Sequence, residues 1–252
     1  MLEEKENFSE LDYSKLDTIF SSPDFEKMKI QMEILAEITN IANQPLDLFE
    51  KASSKMISDL LNKSKKAEAR LAKLTPQISE LLLGGEESDN IRTKKNDVLF
   101  RKMVDCRSKQ YLSNEYVKAL SEMKVVYLYK TVEIIIKSLI HTAYPEKNPK
   151  KIDNWQSIED YFNSIDIDVS NFDGYEEVNE LRKTNNNIKH DETINDDKVK
   201  KIKEFANESQ FTYQNIEDFY NRIKPKIQTF VKSLGEAIIE NIDKKFEINT
   251  SE

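Results

Sequence analysis

The scarcity of turn-forming residues does most to limit what this chain can become: four glycines and six prolines serve 252 residues. Tight turns draw on glycine's freedom at positive φ and on proline's fixed φ, so a many-stranded barrel or sandwich is disfavoured. What remains is a few long segments whose apolar residues recur at threes and fours. Phe25, Met28, Met32, Leu35, Ile38 and Ile41 do so after Ser21-Ser22-Pro23-Asp24, a helix start with a serine or aspartate cap and proline in the first turn. The spacing predicts a helix over 24–43. Asn43-Gln44-Pro45 breaks it. A second helix is expected from about 46 to 83 through Phe49, Ala52, Met56, Leu60, Leu61, Ala67, Leu71 and Leu74, kinked or split in two at Pro76. The class is all-α.

Within that second helix, residues 62–70 are mostly charged. They read as a solvated face, Lys63, Lys65 and Lys66 included, with an exposed arm or coiled-coil partner surface as the alternative. Gly84-Gly85-Glu86-Glu87-Ser88-Asp89 is the clearest linker; it is acidic and lacks GK[ST], so it is no phosphate-binding loop. Helix resumes near Asp97, and Ser113-Asn114-Glu115 either caps a fresh start or is passed through. Residues 115–143 are apolar on more than one face and make the central core helix. Tyr144-Pro145 ends it. Asp153-Asn154 caps a short helix carrying Trp155, Ile158, Tyr161 and Phe162, read as core. Ile165, Ile167 and Val169 alternate with aspartates, a two-residue period that suggests an extended connector. Val199, Ile202, Phe205 and Ala206 suggest a short helix, and Tyr213 to about Phe246 a long terminal one kinked at Pro225. The expected organisation is a loosely held N-terminus over 1–22, an N-terminal helical segment over 23–112 with its linker near 84–94, and a helical bundle over 113–247.

A formal net charge of −8 removes generic polyanion binding, so any nucleic acid must meet a local basic patch. One cysteine, Cys106, excludes an intrachain disulfide and fits a reducing compartment. Two histidines and one cysteine, widely dispersed, give no zinc site of ordinary spacing, and no cofactor is called for. The acidic opening carries no signal-peptide pattern. The longest apolar stretch, 125–140, is cut by Lys130, Glu133 and Lys137, so no membrane span is expected. The reading is cytoplasmic, with a bacterial flavour in the heavy use of Lys, Asn and Ile.

The stretch best suited to chemistry is Glu180-Leu181-Arg182-Lys183-Thr184-Asn185-Asn186-Asn187-Ile188-Lys189-His190-Asp191. Leu181 and Ile188 mark an apolar stripe, and Arg182, Asn186 and His190 a neighbouring polar one at i, i+4 and i+8. Each asparagine costs roughly 0.6 kcal/mol against alanine in a helix. Either the helix ends or distorts there, or the amides are wanted for hydrogen bonds. Arg182 has Glu176, Glu177 and Glu180 as alternative ion-pair partners, and His190 a plain role at a helix C-terminus beside Asp191.

From about Tyr116 to Phe246 the chain resembles HEPN-type helical domains, a prokaryotic group rich in defence and toxin–antitoxin proteins. The resemblance rests on the long helix, the tryptophan-bearing short helix, Ile165-Asp166-Ile167-Asp168, then Leu181-Arg182 with Asn186 and Ile188-Lys189-His190 ahead of a closing helix. It implies a four-to-five-helix bundle, dimerised through the motif helices, with a metal-independent RNase site. Carried over, His190 would serve as general base or acid toward a ribose 2′-OH, Arg182 would hold the scissile phosphate, and Asn186 would orient it. Lys147, Lys150, Lys151 and Lys189 are the RNA-contact candidates. Seven residues separate Arg182 from His190, more than in the catalytic pattern, and Glu192 stands where one subgroup carries a modifiable tyrosine. The alternative is a non-catalytic dimerisation module whose N-terminal helices bind a partner protein.

Overall fold

The structure, a computed structural model, describes residues 22–43, 45–83, 89–146, 152, 154–191 and 193–249. Every regular element among them is helical. The helices are α1 (Pro23–Asn43), α2 (Pro45–Leu83), α3 (Asp89–Ala143), α4 (Trp155–Asn163), α5 (Tyr175–His190) and α6 (Tyr213–Asn249), with a 3₁₀ turn at Val169–Asn171. The all-α expectation holds. Proline at the first position of α1 and α2 needs no N–H there.

Helix continues at Pro76, where the sequence allowed a split, and at 113–115, where it allowed a fresh start. α2 runs on through Pro76 and α6 through Pro225. Thr75 donates its hydroxyl to the Leu71 carbonyl at 2.9 Å beside the first of these prolines. Ser113-Asn114-Glu115 is interior to α3, which starts at Asp89 rather than near Asp97. The boundary expected at 112/113 therefore falls inside one 55-residue helix. The described residues divide into two compact units that interleave in sequence: those within 22–43, 131–176 and 226–249 form the first, and those within 45–130 and 177–225 the second. α3, α5 and α6 each contribute to both.

In the first unit, Ile34, Val132, Ile136, Leu139, Phe162, Phe230 and Ile238 are buried. Trp155, Phe172 and Tyr175 surround the Phe230 ring at 6.4, 6.2 and 6.4 Å between centroids. Trp155 and Phe162 are core, as expected. Asn154 caps α4, accepting from the Ser157 N–H. Asn241 accepts from the Tyr144 hydroxyl at 2.8 Å and donates to the Ile165 carbonyl at 2.9 Å, tying α6 to the end of α3 and to the connector. The connector is non-helical up to the 3₁₀ turn, with Ile167 and Val169 buried. Glu133 and Lys137 form their i,i+4 pair at 2.8 Å.

In the second unit, α2 and α3 form an antiparallel hairpin. Phe49 stacks on Tyr127, Ser64 bonds Asn114 at 3.0 Å, and Arg70 and Leu74 share a hollow with Lys102 and Cys106. On α2 the inward positions are Ser53, Ile57, Leu60, Ser64, Ala67, Leu71, Leu74 and Ile78, alternating fours and threes as a two-helix seam requires. Ser64 and Ala67 are buried inside the charged stretch that the sequence reads as a solvated face. The coiled-coil alternative is the better description there, because small side chains let the helices meet with few apolar residues.

The helix expected around 199–206 is absent. Ile202 donates to the Val199 carbonyl, Phe205 to Ile202 and Glu208 to Phe205, a run of i→i+3 turns. Three residues per turn puts Val199, Ile202 and Phe205 on one buried side. Phe205 meets Phe211 and Phe219 at 5.1 and 5.0 Å.

Candidate functional site

α5 keeps helical form through all three asparagines and ends at His190, where the Asp191 N–H still reaches the Asn187 carbonyl at 2.9 Å. Propensity loses to burial. Val178, Leu181, Thr184, Asn185 and Asn187 are buried, so tertiary packing holds turns that the asparagines alone would fray. Of the two readings of the asparagine run, hydrogen bonding is the one the structure adopts. Asn187 donates to the Thr193 carbonyl at 2.9 Å, fastening the chain as it leaves the helix, and Asn185 donates to Asn186 Oδ1 at 3.3 Å.

The Arg182, Asn186, His190 stripe is real but open. Asn186 and His190 are exposed and Arg182 is half-buried. Arg182 donates from Nη2 to Asn179 Oδ1 at 3.2 Å, while its Nε is buried with no acceptor among the described residues. Glu180, one expected partner, is taken by Arg222 at 2.7 Å. Thr184 Oγ1, Asn185 Oδ1 and Asn187 Oδ1 are also buried without partners among the described residues. A buried polar group left unpaired costs about 1–3 kcal/mol, so this part of α5 concentrates unmet hydrogen-bonding capacity beside the arginine. The sequence stripe omitted Thr184, Asn185 and Asn187. For Thr184 and Asn185 the spacing from Leu181 was the available signal, since 181, 184, 185 and 188 share a helix face.

An unbroken helix rises 1.5 Å per residue, which places Arg182 and His190 about 12 Å apart along the axis. No distortion at the asparagines shortens that. Lys189 is exposed, with its Nζ 5.9 Å from the Tyr129 ring centroid. Lys147, Lys150 and Lys151 lie outside the described residues. Among the described residues no cluster of three His, Cys, Asp or Glu is placed to hold a metal, and no helix is long and apolar enough to cross a membrane.

No family model, curated protein or solved structure matches this chain. Its site is therefore defined by its own geometry.

An ion triad fixes α5 in the second unit. Arg222 on α6 holds Glu204 through Nε and Nη2, both at 2.8 Å, and reaches Glu180 on α5 at 2.7 Å. Burial pushes the Glu204 carboxyl up, but the Arg222 hydrogen bonds outweigh it and hold the group below 4.5, its ordinary value. A lowered native pKa contributes stability that is full above the ordinary value and fades as pH falls through the native one. Glu204→Gln is accordingly expected to be less stable than wild type at pH 7. The gap should close progressively below pH 4.5, as read from urea midpoints across an acid series.

Proposed function

We propose that the chain acts on RNA as a homodimeric, HEPN-like endoribonuclease, with a composite site in which Arg182 of one protomer works with His190 of the partner subunit. The observation that carries this is the continuity of α5. Along a straight helix Arg182 and His190 are too far apart to share a phosphate, yet Asn186 lies midway between them and is exposed. A two-fold axis beside Asn186 would pair α5 helices antiparallel, and an isologous contact of that kind sets residue 182 opposite residue 190 twice.

In such a site the 2′-oxygen of a ribose attacks the adjacent phosphorus while His190 takes its proton. The new O2′–P bond forms as the P–O5′ bond breaks, and the departing 5′-oxygen takes a proton from solvent water, leaving a cyclic phosphate and a 5′-hydroxyl, after which His190 returns its proton to solvent. Arg182, with its planar fork of donors, stabilises the charge on the phosphoryl oxygens. Asn186 orients the phosphate and the exposed Lys189 adds local positive charge. A cytoplasmic bacterial defence or toxin–antitoxin role suits this chemistry.

Subunit complementation tests it. Arg182→Ala and His190→Ala are each expected to lower cleavage of a labelled single-stranded RNA by about 10²-fold or more. Coexpressed, they form mixed dimers in which one site has lost both groups and the other has kept both. Since half the dimers are mixed, activity should return to about a quarter of wild type. Loss in both variants without recovery would place the pair in one subunit. A wild-type protein that leaves RNA intact favours the second reading, a non-catalytic module, which draws support from the exposed Phe100, Val104 and Tyr111 on α3.

A further inference from the structure

The α2–α3 hairpin carries a groove that chemistry on α5 does not use. A cleft of about 390 Å³ is lined by the apolar Leu60, Ala67 and Leu112 and by the cations Lys63, Lys66, Arg70 and Lys109. A second hollow of about 370 Å³ continues it through the shared Arg70 and Cys106, adding Lys73, Leu74 and Lys102. The one carboxylate in either, Asp105, is neutralised by Lys109 at 2.6 Å. Six cations thus gather on one strip of a chain whose net charge is −8.

The pattern follows from helical spacing. Lys63, Lys66, Arg70 and Lys73 stand at i, i+3, i+7 and i+10, beside the inward stripe of Leu60, Ala67 and Leu74 at sevens. Leu60 to Leu74 covers about 21 Å of α2, close to four turns. A two-helix seam leaves a flanking groove in which a third helix can lie. Leu112 and Tyr116 line this one and remain 48% and 56% exposed, apolar surface that a third helix would cover.

We propose that this groove docks an acidic amphipathic helix of a partner protein, its leucine-like side chains on Leu60, Ala67 and Leu112 and its carboxylates against Lys63, Lys66, Arg70 and Lys109. The charge asymmetry supplies orientation and association rate, and the apolar lining supplies affinity. The apolar lining also separates this occupant from RNA, whose phosphates would meet the lysines but bury nothing on the leucines. The proposal does not depend on the composite nuclease site.

A displayed library tests it. Eighteen-residue helical peptides, apolar at heptad positions a and d and randomised elsewhere, are selected on the full chain with Lys66→Glu/Arg70→Glu as the counter-target. The selected peptides should be enriched in Asp and Glu flanking the apolar stripe. By fluorescence anisotropy they should bind the charge-reversed variant at least tenfold more weakly, and Leu112→Ser should weaken them similarly. All three substituted residues are exposed at the groove, and circular dichroism checks that helicity is kept. An empty selection, peptides without acidic bias, or binding indifferent to these substitutions would overturn the proposal. So would a twenty-nucleotide single-stranded or duplex RNA that displaces the peptides at lower concentration, which would make the strip a nucleic-acid surface.

Discussion

Glu217→Ala is expected to cost about 3–5 kcal/mol of stability, the largest loss among single substitutions away from the aliphatic core. Lys124 is buried on α3, its side chain 3% exposed, with Nζ 2.9 and 2.7 Å from the two carboxylate oxygens of Glu217 on α6. The same ammonium sits 4.4 Å from the Tyr220 ring centroid. Removing the carboxylate leaves a desolvated cation facing an aromatic ring, and the ring's attraction of about 1–2 kcal/mol replaces only part of what is lost. Replacing both partners with apolar residues is different. Lys124→Met/Glu217→Leu removes charge and counter-charge together and is expected to lie within about 1 kcal/mol of wild type, or above it. Urea denaturation of the two variants beside wild type decides the matter. A single variant as stable as the double would mean that the buried ammonium finds other compensation.

Gly174→Ala is the second large effect. Gly174 holds φ at +92°, and a Cβ there would sit 2.2 Å from the Lys226 carbonyl oxygen and 3.0 Å from Phe230 Cβ. The left-handed backbone costs a non-glycine residue about 1–2 kcal/mol, and the obstacle is main chain of α6, which cannot rotate aside. The expected loss is about 3 kcal/mol or more. Gly235 offers the contrast. Its Cβ would come within 2.1 Å of Ile38 Cδ1, the end of a side chain that can repack. Gly235→Ala should therefore be the milder change, eased further by Ile38→Val. Thermal midpoints of the three variants test the ranking, and equal losses at the two glycines would refute it.

What was legible in the sequence is what neighbouring residues decide. The all-α class, the Asn154 cap, and the buried Trp155 and Phe162 follow from local spacing and local chemistry. Pro76 does not split its helix, because a proline removes one hydrogen bond while a long packed helix has many others. Asn185 and Asn187 were left out of the polar stripe for a different reason. Polar residues are read as outward-facing, and only the fold shows that the Thr193 carbonyl waits inside for an amide. The turns after Asp196 bury every third residue, a period close enough to the helical one to pass for it. The two interleaved units were not read, since helix continues across 130 and across Pro225, and a boundary inside a helix leaves no turn or linker to signal it.

That interleaving has a consequence for how the protein is made. The first unit needs residues 226–249 beside 22–43, and Gln31 and Lys27 reach Asp243 at 2.8 and 2.7 Å across more than two hundred positions of chain. A ribosome delivers α1 before the second half of α6, so α1 must wait for a partner that has not yet been synthesised. The second unit, by contrast, has everything it needs once Pro225 has emerged. The residues of the second unit are therefore all available before those of the first, and α1, with its exposed Met28, Met32 and Leu35, is the segment that waits longest for its partner.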